Sequence, residues 1–218
     1  MEGGRGGGDE AEFLARTEYD KVERYPVNGI ERSPEWFDAT IRLLEHLRRI
    51  RYASTRLWHP DSHLLGLAGN IALNDLYGAQ LDTRIRLGGD GGVDAYPFMR
   101  ITGKFEWIKQ DVKCATFAKE LWTGGVNEKS PTRPDHLYVL AQHLGRLDAR
   151  LEGWEWGHEM LKIEPQLKGG KWNHTKSKFL LRPISELEEY YCKRWKWHDD
   201  PSAPLRGYPA QYPNATVG

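Results

Sequence analysis

The sequence predicts a mixed α/β fold of one domain, and two observations carry that prediction. Apolar residues recur at helical spacing between residues 33 and 78, and from Asp82 the pattern changes to the alternation typical of strands. Further strands and a closing helix follow, so helices and strands are expected to form packed layers. The 218 residues suit a single domain, and the hydrophobic and charged fractions of 39% and 28% are ordinary for a globular chain.

The chain divides into a central domain with two loose ends. Residues 1–12 are rich in glycine and are expected to form a disordered arm, and residues 199–218, with their scattered prolines, a disordered tail. Residues 13–198 are expected to form the single domain. Acidic and basic residues balance at 31 each, so a nucleic-acid partner must be held by a local basic patch. No apolar run reaches the length of a membrane span, and two cysteines cannot make a disulfide framework, so a cytoplasmic protein without a membrane partner is expected.

Two helices are predicted first. Ser33 is expected to cap the helix that begins at Pro34, because a serine hydroxyl accepts a bond from the first turn and proline fits the first helical position. A second helix is predicted from residue 61 to Gly78. Within it Asn70, Asn74 and Tyr77 fall three or four residues apart, on one face.

The strands are predicted to begin as a three-stranded antiparallel meander. Its strands are expected at 82–87, 93–101 and 105–116. After the meander a helix at 117–122 is expected, and then two strands joined by a turn, at 136–144 and 149–157. The remaining expected elements are a short helix at 158–163, a strand at 178–183 and a closing helix at 185–198 capped by Ser185.

The stretch GGDGGVD at 88–94 and the QDVK at 110–113 form the candidate site. Side chains two apart on a strand point to the same side, so Asp111 and Lys113 are expected to project together. One hairpin separates Asp94 from Asp111 and brings the two carboxylates near each other. Paired carboxylates are a common way to hold Mg²⁺, with water and substrate phosphate completing the shell. Asp90 is expected to form the glycine turn rather than to be a ligand.

These residue types suit the hydrolysis of a phosphodiester. A divalent cation neutralises phosphate charge and lowers the pKa of a bound water. Lys113 would position the water or stabilise developing negative charge. The glycines allow backbone to approach a phosphate closely.

The pattern resembles the PD-(D/E)xK nuclease superfamily, which has a restriction-endonuclease-like core, a central mixed β-sheet flanked by helices. It is most similar to the branch with a DGGxD turn, found in Mrr-like restriction enzymes and some phage proteins, and covers residues 60–185. The resemblance implies a deoxyribonuclease dependent on Mg²⁺ or Mn²⁺, with Asp94 and Asp111 as metal ligands and Lys113 as the catalytic lysine. Asn70 stands where the family often has a glutamate ligand; an amide oxygen can coordinate a metal but carries no charge.

A basic segment is the candidate nucleic-acid contact. No acid occurs between Glu164 and Glu186, and aromatic rings are interleaved with the bases, a composition suited to phosphate contacts and stacking. The expected contact residues are Lys168, Lys171, Trp172, His174, Lys176, Lys178 and Arg182.

Two alternatives to a nuclease stay open. One is a catalytically inactive nuclease-fold protein that binds nucleic acid or a protein partner. The other is an unrelated α/β module whose glycine turn binds a phosphorylated ligand. The sequence favours neither DNA over RNA by its own residues nor a monomer over a homodimer.

Overall fold

The computed structural model describes most of the predicted domain. The described residues are 24–52, 62–78, 94–95, 97–101, 104–125 and 131–190. Asp90, the strand expected at 82–87 and both terminal segments lie outside them.

Two helices form the first layer. Helix α1 spans Pro34–Tyr52 and α2 spans Ser62–Leu76. The Ser33 Oγ accepts a hydrogen bond from the Trp36 backbone N–H at 3.2 Å, which confirms the predicted cap. Gly78 adopts a φ of +62°, the left-handed conformation that ends a helix. None of the described helices is both long and apolar enough to cross a bilayer.

A hairpin leads into the central sheet. Strands β1 (Phe98–Ile101) and β2 (Lys104–Trp107) pair antiparallel, and β3 (Lys109–Ala115) continues the second arm. An isolated antiparallel bridge between Ala95 and Gln110 keeps the same register past the start of β1. Two arms of the predicted meander are therefore confirmed, with an interruption around Pro97.

The central sheet is mixed. Strand β3 pairs parallel with β5 (His136–Gly145), and β5 pairs antiparallel with β6 (Asp148–Trp156). The turn between β5 and β6 uses positive φ angles at Gly145 and Arg146, as a tight connection requires. Both predicted strands of this hairpin are confirmed.

A second sheet lies beside the first, in the order β4–β8–β7. Its strands are β4 (Glu120–Gly124), β7 (Gln166–Lys168) and β8 (Lys171–Ser177), all antiparallel. The short helix α3 (Gly157–Met160) precedes it, and a 3₁₀ turn (Lys178–Leu180) and α4 (Ile184–Tyr190) follow.

The central sheet is covered on both faces. Helix α2 packs on one face, where Leu73 contacts a cluster that includes Val112, Val139 and Trp154. The opposite face of β5 carries Tyr138 and Leu140. They pack against Ala118, which precedes β4, Leu121 of β4 and Met160 of α3. The fold is a layered α/β arrangement, as the sequence predicts at that coarse level.

Three local predictions are wrong. Residues 117–122 do not form a helix, because Leu121 and Thr123 are buried at strand spacing and the segment becomes β4. Residues 178–180 form a 3₁₀ turn rather than a strand, and beyond it only Arg182 makes an isolated antiparallel bridge, to Trp154. Helix α4 begins at Ile184, so Ser185 lies inside it instead of capping it.

Candidate active site

The hairpin places Asp94 beside Asp111. Continuing the register of the Ala95–Gln110 bridge by one residue sets Asp94 across from Asp111. The Asp94 backbone N–H donates to the Gln110 carbonyl oxygen at 2.7 Å, which fixes this end of the hairpin. Ala95 is buried in the core beneath α2, and the Asp94 carboxylate turns to the edge of β3, where it reaches both Val112 and Asn70 of α2.

Asp94 joins three elements through its carboxylate. One oxygen accepts the backbone N–H of Val112 in β3 at 2.8 Å, and the other accepts the side-chain amide of Asn70 in α2 at 3.2 Å. A charged acceptor makes hydrogen bonds of this kind stronger than neutral pairs. The edge of β3, the start of the hairpin and the middle of α2 therefore meet at one carboxylate.

A second amide orients Asn70. The Asn74 Nδ2 donates both to the Oδ1 of Asn70 at 2.6 Å and to its backbone oxygen at 2.8 Å. Asn70 consequently directs its NH₂ at Asp94, while its oxygen, the atom that could bind a metal, accepts from Asn74. The sequence places Asn70 and Asn74 on one helix face, but which of the two bonds to Asp94 depends on where Asp94 lies.

Lys113 and Asp111 form a close ion pair on β3. The Lys113 ammonium lies 2.7 and 2.6 Å from the two oxygens of Asp111, and their side chains are 42% and 14% exposed. Burial lowers the pKa of Lys113, but the charge of Asp111, and to a smaller degree that of Asp94, outweighs it and raises the pKa above its usual value. The Lys113 ammonium is thus stabilised chiefly by its contact with Asp111.

The floor of the site includes residues that the sequence does not single out. In the sheet register Asp111 pairs with Tyr138 of β5, which pairs with Glu155 of β6, so the three form one row. The Tyr138 ring centroid lies 6.0 Å from the Lys113 Nζ, and its hydroxyl accepts the Arg133 backbone N–H at 2.9 Å. Only the pairing of β3 with β5 identifies Tyr138 as a neighbour, and that pairing has no local signal.

Two carboxylates, those of Asp94 and Asp111, are the candidate ligands for a metal ion. Asp94 and Asp111 supply hard carboxylate oxygens, and a magnesium ion is often bound by one or two carboxylates, with water and phosphate as its other ligands. Across the described ranges, no cluster of three or more His, Cys, Asp or Glu side chains is arranged to hold an ion. Lys113 occupies both oxygens of Asp111, so metal binding there requires its ammonium to move.

The carboxylate of Asp75 makes its hydrogen bonds to residues that precede α1. Its two carboxylate oxygens accept from Asn28 at 2.9 Å and from the Arg32 guanidinium, at the far end of α2.

The basic segment forms β7, β8 and the turn that follows. Most of its cations pair with acids from other strands or from α4. These pairs are Lys168 with Glu120, Lys176 with Glu155, Lys178 with Glu152, and Arg182 with Glu155 and Glu186. The gap in acids along the sequence is therefore filled by β4, β6 and α4. Trp172 and Lys171 are exposed, whereas His174 is 3% exposed and its Nδ1 lies 2.6 Å from the Ile163 carbonyl oxygen.

Comparison with known proteins gives no relative. No protein-family model matches the chain, and no curated protein or solved structure is significantly similar to it.

Proposed function

We propose that the chain is a metal-dependent nuclease of the restriction-endonuclease-like class, which hydrolyses DNA phosphodiester bonds with a water molecule. The observation that carries the proposal is the meeting of Asp94, Asp111 and Lys113 at one edge of β3. Asp94 lies across from Asp111 in the backbone register and accepts the Val112 N–H at 2.8 Å, and Lys113 bonds to Asp111 at 2.6 Å. The mixed central sheet, with α2 packed on it, is compatible with the class.

The chemistry assigns a role to each of these side chains. A magnesium or manganese ion bound at Asp94 and Asp111 would neutralise phosphate charge and acidify a water. Asp94, anchored by Val112 and Asn70, supplies a fixed carboxylate. Asp111 carries the second carboxylate and holds Lys113. The Lys113 ammonium, released from Asp111, would stabilise the negative charge that develops on the phosphate.

Cleavage assays with matched variants test the proposal. Linear duplex, circular and single-stranded DNA are incubated with Mg²⁺, Mn²⁺ or EDTA. Asp111→Asn is expected to abolish metal-dependent cleavage, and Lys113→Met to reduce it by about 10²- to 10³-fold. Asp38→Asn, which changes an exposed acid of α1, is the control and should cleave as the wild type does. A folded wild-type protein that cleaves none of these substrates with either metal would contradict the proposal.

The orientation of Asn70 favours a second candidate, a nuclease-fold protein that binds DNA without cutting it. The Asn70 side-chain NH₂ donates to Asp94, at the position where the family that the sequence resembles often has an acidic ligand. The Asn70 Oδ1 accepts a hydrogen bond from Asn74. Such a protein would bind DNA equally in Mg²⁺ and EDTA, and Asp111→Asn would leave that binding unchanged.

A further inference from the structure

Three large apolar side chains are exposed on the segments that follow β3 and β8. Phe117, Phe179 and Leu180, named here the rim patch, are 78%, 87% and 68% exposed. A contiguous exposed apolar patch is a feature of surfaces that bind another molecule. Two of the three are aromatic, and their rings are almost fully open to solvent.

The backbone holds the members of the rim patch together. The Lys178 N–H donates to the Lys119 carbonyl oxygen at 3.0 Å, one step beyond the pairing of β4 with β8. That bond sets Phe117, two residues before Lys119, on the segment next to Phe179.

The rim patch borders the site along β3. Phe117 comes four residues after Lys113, so their Cα atoms are at most about 14 Å apart. On the other side, Leu181 packs over Gly153, where an added Cβ would lie 2.7 Å from the Leu181 Cβ. Gly153 belongs to the same row of the sheet as Lys113, through Leu140. The Phe117 end of the rim patch therefore lies within about 14 Å of the candidate catalytic lysine, measured between Cα atoms.

Cations accompany the aromatic rings. The Lys178 Nζ lies 5.7 Å from the centroid of the Phe179 ring and 3.3 Å from a Glu152 oxygen. Lys119 is exposed and makes no ion pair with another described residue. Open aromatic rings beside ammonium groups are the combination with which proteins hold single strands, because bases stack on the rings while the phosphates meet the cations.

We infer that the rim patch binds unpaired bases of a single-stranded stretch of nucleic acid and feeds that strand toward Asp111 and Lys113. The faces of bases in a duplex are already stacked, so an exposed ring gains most from a strand whose bases are free. The role given to this binding, delivery of a strand to be cleaved, rests on the proposed function. The binding itself needs no metal, so it can be measured when no cleavage takes place.

Anisotropy of labelled oligonucleotides in EDTA tests the inference. The probes are single-stranded DNA, single-stranded RNA and duplex DNA of one sequence. We expect the single strands to bind more tightly than the duplex, and Phe117→Ala with Phe179→Ala to weaken single-strand binding by at least about fivefold. Phe179→Trp should retain the affinity and Phe179→Leu should lose it, because only the former keeps a stacking surface. Ile30→Ala, which removes another exposed apolar side chain, is the control.

Equal affinity for single strands and duplex, or equal effects of Phe179→Leu and Phe179→Trp, would overturn the inference. Sedimentation velocity tests whether a second copy of this chain binds the rim patch instead. If the double variant loses dimerisation while its DNA binding is unchanged, the inference is also overturned. The two proposals fail separately. Single-strand binding without cleavage in Mg²⁺ or Mn²⁺ would support the rim-patch inference and contradict the nuclease proposal. Cleavage that is unchanged by substitution of Phe117 and Phe179, with no loss of single-strand binding, would support the nuclease and contradict the inference.

Discussion

The Asp94 carboxylate accepts the backbone N–H of Val112 at 2.8 Å, and this bond ties the start of the hairpin to the edge of β3. Val112 lies between Asp111 and Lys113, so the anchor of one acid sits between the two other members of the site. Loss of this bond would change the distance between the two carboxylates as well as the stability of the hairpin.

Exchange of Asn70 and Asp94 tests how strongly this carboxylate holds α2 to the hairpin. Asp94→Asn sets two amide NH₂ groups against each other and is expected to lower the free energy of unfolding by about 1–3 kcal/mol. Adding Asn70→Asp restores an acceptor, which Asn74 can also bond, and should recover at least half of that loss. Urea denaturation of both single variants and the double variant without metal measures the coupling. Strictly additive losses would contradict a direct Asn70–Asp94 interaction.

The parts of the site that lie within one hairpin could be predicted from the sequence. Strand alternation places Asp111 with Lys113, and the short connection sets Asp94 across from Asp111 in the backbone register. The partner of Asn70 and the neighbour of Asp111 could not be predicted, because each depends on contacts between segments far apart in the chain. Tyr138 reaches Asp111 only through the parallel pairing of β3 with β5.

Local patterns also failed where tertiary burial decides the outcome. Residues 117–122 contain good helix formers, yet Leu121 is fully buried against the central sheet and the segment pairs with β8. Contacts between distant segments also decide the charge of the basic segment, which is less positive in the fold than its own residues suggest. Its partners Glu120, Glu152 and Glu155 come from strands whose positions the sequence does not reveal.

The Lys113–Asp111 pair predicts a loss of stability at high pH. The folded-state pKa of Lys113 is raised, so its contribution is complete below the unfolded pKa of about 10.4 and decreases as pH rises through the folded value. The difference in unfolding free energy between the wild type and Lys113→Met should be constant from about pH 7 to 9 and shrink above about 10.4. The side chain is 42% exposed, so solvent screening keeps the effect small.

A double variant separates this pair from other alkaline effects. With Asp111→Asn as background, the Lys113→Met difference should lose most of its dependence on pH. A dependence of equal size in both backgrounds would show that Asp111 is not the cause.

Two glycines of α2 should respond oppositely to alanine. A Cβ at Gly69 would lie 2.8 Å from the Cys114 Cβ and 3.2 Å from Val112, so Gly69→Ala must push α2 away from β3. We expect a cost of about 1–3 kcal/mol, together with a weaker Asn70–Asp94 bond. A Cβ at Gly66 meets nothing within 4 Å, so Gly66→Ala should stabilise by about 0.5–1 kcal/mol through helix propensity. Thermal and urea unfolding of the two variants measure both values, and equal effects would contradict the close packing of α2 on β3.

Cys114 should be a slow nucleophile. Burial beneath α2 raises the pKa of its thiol to about 11, so at pH 8 its thiolate fraction is about two orders of magnitude below that of a free cysteine. In a Cys192→Ser background, alkylation by iodoacetamide should be slow in the native state and become fast in denaturant. Native alkylation as fast as that of the denatured chain would mean that α2 does not cover this part of β3.

Two lysines of β8 should separate stability from DNA binding. Lys176 pairs with Glu155, which is 2% exposed and also lies 3.3 Å from the Arg182 Nε, so Lys176→Met leaves a buried acid with one cation fewer. We expect it to lower the unfolding free energy by roughly 3 kcal/mol, the lower end of the cost of breaking a buried pair.

Lys171 is exposed where β8 begins, so Lys171→Met should leave stability within about 0.5 kcal/mol of the wild type. It should instead weaken DNA binding and reduce the slope of log K against log salt by about one unit. Urea unfolding and binding at several salt concentrations distinguish the two, and a salt slope that Lys171→Met leaves unchanged would exclude this end of β8 from the DNA contact.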